Sequence, residues 1–147
     1  MFKHLLVPTD GSALSQDAVA RAVSFAKEAG ARITLFYARP QASQAYVGMG
    51  AISSPHLTQE LLERLDGASG DILDAAEKLA RDAGVPCHRL VSVGSRPHEL
   101  IIQAAEANGC DLIFMASHGR KGINALLLGS QTQKVLTHSR VPVLVYR

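Results

Sequence analysis

The chain has 147 residues, 47% of them hydrophobic and 19% charged, with a formal net charge of +2. That is length and apolar content for one globular domain with a real core, predicted to span 1–147. The charge is too small for a nucleic-acid surface, which needs a dense basic face with aromatics placed to stack on bases.

Neither Cys87 nor Cys110 belongs to a CxxC pair, so no disulfide framework is expected and a reducing cytoplasm is the natural compartment. No apolar run approaches the roughly 20 residues of a membrane span, and the N-terminus lacks a signal-peptide core. A soluble cytoplasmic protein, with no membrane or nucleic-acid partner, is the expectation.

Phe2 to Pro8 reads as a first strand, and its non-alternating Leu5-Leu6-Val7 suits a parallel sheet covered on both faces. Thr9-Asp10-Gly11-Ser12 then turns into a helix whose Leu14, Ala18, Ala22, Phe25, Ala26 and Ala29 recur at three and four, ending at Gly30. Asp10 sits where the first strand ends, the side on which open α/β sheets bind ligands. Helix capping and ligand contact are both open to it.

Arg32 to Ala38 is the second strand. Arg39 to Pro55 has no period and reads as a loop, long enough to suggest a flap near a ligand. His56 to Ala83 is helical, with an apolar stripe through Leu73, Ala76, Leu79 and Ala80 and a kink expected at Gly67 or Gly70. Pro86 to Val93 is the third strand. Pro97 opens the next helix, whose Leu100, Ile101, Ala104 and Ala105 face the sheet and which ends at Asn108-Gly109.

Asp111 to Ala116 is a fourth, buried strand delivering the chain to Ser117-His118-Gly119-Arg120-Lys121-Gly122. After a short apolar run come Gly129-Ser130-Gln131, with Ser130 expected to cap a helix through His138. A helix start presents unpaired N–H groups and partial positive charge to an anion. Glycines 119, 122 and 129 let backbone approach a ligand closely. From Leu112 to Arg147 there is no Asp or Glu, against Arg120, Lys121, Lys134, Arg140 and Arg147. Strand, glycine loop and helix therefore read as a phosphate-binding loop in positive potential.

The chain contains neither GxxxxGK[ST] nor a GxGxxG between strand and helix, which excludes two other phosphate motifs. No histidine pair or Cys–His cluster has metal spacing, and His118 reads as a loop residue near phosphate. No nucleophile–base–orienter set surrounds the loop, so no catalytic residue is assigned and any hydrolysis is expected to be slow. The element order implies a parallel sheet with helices on both faces; pattern alone leaves strand orders 2-1-3-4-5 and 3-2-1-4-5 open.

Ala116-Ser117-His118-Gly119, nine residues, then Gly129-Ser130 resembles the G-x-x-G-x9-G-[ST] nucleotide signature of universal stress proteins, with Ala116 in place of the first glycine. The resemblance extends to Leu5-Leu6-Val7-Pro8-Thr9-Asp10-Gly11-Ser12 and to Val141-Pro142-Val143-Leu144-Val145-Tyr146. It implies a Rossmann-like, adenine nucleotide alpha-hydrolase-like sheet of order 3-2-1-4-5, with the ligand crevice between strands one and four.

It also implies that Pro8, Thr9 and Asp10 form the first-strand end of the site, with Asp10 near the phosphates, that the Ala38 backbone contacts adenine, that Met115 and Ala116 lie beside the ribose, and that His118, Gly119, Arg120, Gly122, Gly129, Ser130 and Gln131 lie along the phosphates. The ligand so implied is ATP acting as a regulatory nucleotide. Its Mg²⁺ would be held mainly by phosphate oxygens, with Asp10 as the protein group. The resemblance further suggests a homodimer through Val141–Tyr146, acting on a downstream protein that the sequence does not name. The methyl of Ala116 is expected either to crowd the ribose or to close off a positive φ. A branched side chain at 129 is expected to obstruct the phosphates and leave the fold intact. The alternative is a dimeric interaction module of the same fold that binds no nucleotide.

Overall fold

The computed structural model describes residues 1–41, 55–119 and 127–147, and the side chains of all of these except 55–57. The strands are β1 (His4–Pro8), β2 (Arg32–Arg39), β3 (Cys87–Val93), β4 (Leu112–Ala116) and β5 (Val143–Tyr146). The helices are α1 (Ala13–Ala29), α2 (Pro55–Asp82), α3 (Pro97–Ala107) and α4 (Ser130–His138). All strand pairings are parallel and the sheet order is β3-β2-β1-β4-β5. This is the 3-2-1-4-5 order, so the chain reverses direction of winding between β1 and β4.

The run Leu5-Leu6-Val7 lacks alternation because both faces of the strand are buried. Leu5, Val7, Ile33, Leu35, Leu112 and Phe114 point into one core with Val19, Ala22, Ala26, Leu73 and Ala80. Leu6, Phe36, Ile113 and Met115 point into the other, against Ile101, Ala104, Ala105 and Val135. Helices α1 and α2 thus cover one face, and α3 and α4 the other.

Several boundaries differ from the sequence reading. β1 starts at His4, and the N–H groups of Lys3 and His4 donate to the Asp111 carboxylate, at 2.8 and 3.0 Å. β3 starts after Pro86, which has no N–H, although its carbonyl still accepts from Ile33 at 2.9 Å. α2 runs unbroken through Gly67 and Gly70, where a Cβ would meet nothing within 4 Å. Leu79, counted on the buried stripe, is 41% exposed, whereas Ser69 is buried. The loop expected from Arg39 to Pro55 falls mostly outside the described residues, and so do Arg120, Lys121 and Gly122.

α1 is fixed at both ends. The Ser12 hydroxyl accepts from the Ser15 N–H at 3.3 Å. Gly30 closes the helix in the left-handed region at φ 61°, which glycine adopts without a Cβ penalty. Among the described residues no helix is long and apolar enough to cross a membrane.

Candidate functional site

The C-terminal ends of β1 and β4 diverge at the reversal of winding, where parallel α/β sheets leave a crevice. A cleft of about 210 Å³ opens there. Pro8, Thr9 and Asp10 enter it from β1, Ala38 from β2, Met115 and Ala116 from β4, His118 and Gly119 from the following loop, and Gln131 from α4. The sequence reading named all nine. Gly129 and Ser130 adjoin this wall at the start of α4 without lining the cleft. Arg120 and Gly122 lie outside the described residues.

Five further residues line the cleft: Ser15, Phe36, Pro97, Ile101 and Thr132. Phe36 was within reach of the sequence, since it lies two residues before Ala38 and shares its face. Pro97 and Ile101 come from the helix after β3 and enter through tertiary packing alone.

Asp10 does not cap α1; Ser12 does. The Asp10 Oδ1 instead accepts from the Ser12 N–H at 3.0 Å, an Asx turn that orients the carboxylate. Its Oδ2 is the atom that faces Gly119: a Cβ built at 119 would fall inside contact distance of it. Behind Asp10, the buried hydroxyls of Thr9 and Ser15 lie 3.1 Å apart, and the Thr9 N–H reaches Phe36 O at 2.9 Å. The β1 end is therefore hydrogen-bonded to β2 and α1 at once.

The opposite wall is held as firmly. Ser117, 2% exposed, donates its N–H to Tyr146 O at 2.7 Å and accepts from the Gly129 N–H at 2.7 Å. The Thr132 hydroxyl donates to Ala116 O at 3.0 Å. These bonds stitch the loop after β4 to β5 and to the first turn of α4.

Gly129, not Ser130, is the N-cap of α4, with φ −61° and ψ 151°. Ser130 is the first helical residue, because the Gly129 carbonyl already accepts from the Gln133 N–H at 3.0 Å. Among the described residues no side chain caps this helix, so none of their hydroxyls takes up the donors of its first turn.

The glycines act through space rather than conformation. Neither Gly119 nor Gly129 has a positive φ. A Cβ at Gly129 would lie 3.1 Å from His118 Cα and 3.3 Å from Ser117 O. A branched side chain there would press on backbone, so it would disturb the loop as well as any ligand, contrary to the sequence expectation. Ala116 is a β4 residue, and among the described residues no non-glycine has a positive φ. The conformational objection to alanine therefore disappears; only its methyl remains.

The most buried residues lining the cleft are apolar Phe36, Ile101 and Met115 beside polar Thr9, Ser15 and Thr132, and Ala38, Asp10, His118 and Gln131 are half-buried. Flat apolar matter fits against Phe36, Ile101 and Met115, and an anion fits the rim at the α4 start. Among the described residues no group of three His, Cys, Asp or Glu side chains could hold a metal ion. The residues present suit a cation that arrives already bound to its ligand, with one carboxylate to meet it.

Comparisons with known proteins agree on one family. A universal stress protein of Thermus aquaticus is 34% identical over 151 residues, covering all of this chain and all of that protein. The solved structure of a Methanocaldococcus jannaschii protein, whose biochemical function was assigned from its structure, superposes with a TM-score of 0.81 at 30% identity, covering 99% of this chain and 95% of that one. A universal stress protein crystallised in complex with cAMP superposes with a TM-score of 0.74 at 25% identity, covering 99% and 97%. The model of the universal stress protein family matches residues 1–147, and the chain belongs to that family.

Proposed function

We propose that the protein binds an adenine nucleotide in the cleft between β1 and β4, with ATP as the favoured ligand and regulation as the purpose. The observation that carries this reading is the pairing of an apolar slot with a helix start that lacks a side-chain cap, at the point where the winding reverses. The adenine would enter between Ala38 and Met115, where burial of a flat apolar ring is favourable. The phosphates would follow the rim past Gly119 to the N–H groups of Ser130 and Gln131, whose orientation and dipole favour negative charge. A related universal stress protein takes cAMP, which supports an adenine nucleotide as the class.

At about 210 Å³ the cleft is smaller than the roughly 300–1,000 Å³ of complete small-molecule sites. In this reading it houses base and sugar, and the phosphates lie along the rim. Mg²⁺ would accompany the phosphates and meet Asp10, which then serves the metal rather than repelling the nucleotide. Among the described residues none at the rim is assigned as nucleophile or base, so turnover is expected to be slow. Residues 39–55 are proposed to respond to occupancy, and a downstream protein to read that response.

Among the described residues β5 is an edge strand paired only to β4, with half-buried Val143 and Val145. Exposed edges invite a covering strand, and we propose that a second copy supplies it through 141–146, as an isologous dimer. Sedimentation at micromolar concentration decides this: a monomer would discard the proposal.

The test of the ligand is to denature the purified protein and identify any released nucleotide by chromatography, then to titrate stripped protein with Mg·ATP. Bound or rebinding adenine nucleotide supports the reading. A protein that arrives empty and takes up none overturns it, and favours the dimeric interaction module.

A further inference from the structure

His98 and Gln131 are 33 residues apart in sequence and in contact across α3 and α4. The His98 backbone N–H donates to Gln131 Oε1 at 3.0 Å, and ring atom Nδ1 lies 3.1 Å from the same oxygen. A backbone N–H can only donate, so the carboxamide atom facing it must be the oxygen. That oxygen only accepts, so Nδ1 carries a proton. The two contacts fix both the amide orientation and the imidazole tautomer.

The ring itself is constrained. Its side chain is 13% exposed, and the His138 ring lies 6.0 Å away, centroid to centroid. With Oε1 held by α3, the NH₂ group is the part of Gln131 left for the cleft, which this residue lines. Pro97, next to His98, lines the same cleft.

We infer that the Gln131 side chain is a specificity-determining donor toward the phosphate chain of the ligand, and that His98 is the positioning residue that turns its NH₂ group to the cleft. This rests on the nucleotide reading above and adds to it a side chain that discriminates by phosphate content. Its ligand class is a nucleoside polyphosphate, distinguished from the bare nucleoside. A free carboxamide would present oxygen or nitrogen to the phosphates, and oxygen would repel them; the His98 clamp removes that choice.

The test measures ATP and adenosine affinity by titration calorimetry on the full chain, for wild type, His98→Ala and Gln131→Glu. His98→Ala keeps the backbone donor and removes the ring; it should weaken ATP about two- to tenfold, the worth of one ordinary hydrogen bond, and leave adenosine unchanged. His98→Asn, whose amide nitrogen reaches a position close to that of Nδ1, should restore part of the loss. Gln131→Glu keeps an oxygen for His98 and replaces the donor by a carboxylate, so ATP should weaken roughly ten- to a hundredfold with adenosine again unchanged. A general loosening of the helix pair would lower both ligands together, and that result overturns the inference. So does an unchanged ATP-to-adenosine ratio in both variants. If wild type binds neither ligand, the nucleotide reading itself falls and takes this inference with it.

Discussion

Gly129→Ala is the sharpest probe of how the cleft wall is built. The added Cβ would sit 3.1 Å from His118 Cα and 3.3 Å from Ser117 O, and those neighbours are backbone held by the 2.7 Å bonds from Gly129 N–H to Ser117 O and from Ser117 N–H to Tyr146 O. The loop must therefore give by a few tenths of an ångström against its own hydrogen bonds. Overpacking of this kind costs about 1–3 kcal/mol, and alanine is a poorer N-cap than glycine by roughly 0.5–1 kcal/mol. For a chain of 147 residues, an unfolding entropy of about 2.1 cal/mol/K per residue gives roughly 3 °C for each kcal/mol. The melting temperature should then fall by about 5–13 °C. Gly119→Ala is the contrast. The three heavy atoms nearest its Cβ among the described residues all belong to the Asp10 carboxylate, the end of a side chain rather than backbone, so its melting temperature should fall less while nucleotide affinity falls more. Calorimetric melting with and without Mg·ATP reads both quantities. If Gly129→Ala melts with wild type, or if Gly119→Ala is the less stable of the two, the steric account of these glycines is wrong.

Three other outcomes follow from single groups. Burial, and after it the Arg32 guanidinium, lowers the pKa of His4 below its ordinary 6.5, so the unfolded chain takes up this proton at a higher pH than the folded one; stability is complete above about pH 6.5 and declines as pH falls toward the folded value. Urea midpoints across that range should show the decline in wild type and a flatter profile in His4→Leu, and an equal slope in both would refute the assignment. Burial pushes the thiols of Cys87 and Cys110 up to about 11, with Glu77 adding to the first and Asp111 to the second; a disulfide reagent at pH 8 should label native protein about two orders of magnitude more slowly than free cysteine, and labelling at the free rate would contradict this. Asp10→Asn keeps an acceptor for the Ser12 N–H and removes the charge, so it should tighten metal-free ATP and abolish the benefit of Mg²⁺; an unchanged metal dependence removes Asp10 from that role.

Much of the fold was legible because its signals are local. Unalternating apolar runs marked buried strands, Gly30 marked the end of α1, and Pro97 the start of α3, each for a reason that acts within a few residues. Strand order was not local, and periodicity left two orders open until the family resemblance chose between them. The misread ends of β1 and α4 differ in origin, the first distant in sequence and the second within one helical turn. At β1 a carboxylate more than a hundred residues away takes the N–H groups of Lys3 and His4. At α4 the Gly129 carbonyl starts the helix one residue before the hydroxyl that seemed designed to cap it. In the site, the motif residues came from the family resemblance, whereas Pro97, Ile101 and the His98–Gln131 contact depend on how α3 packs against α4.

The departure at Ala116 shows which parts of such a signature are set by physics and which are negotiable. In the proposed reading the donors that the signature itself supplies are main-chain N–H groups of a helix start, with the Gln131 NH₂ group added beside them, and main chain is supplied by any residue, so the signature constrains space more than chemistry. At 119 and 129 the space is occupied, by the Asp10 carboxylate and by the backbone of Ser117 and His118, and only hydrogen fits without movement. At 116 the backbone is ordinary strand, its carbonyl is held by the Thr132 hydroxyl, and its φ is not positive. Glycine there contributes room but no conformation that alanine lacks. A methyl at 116 therefore narrows the cleft floor without dismantling the loop, and the positions whose replacement should end binding are the two glycines that remain.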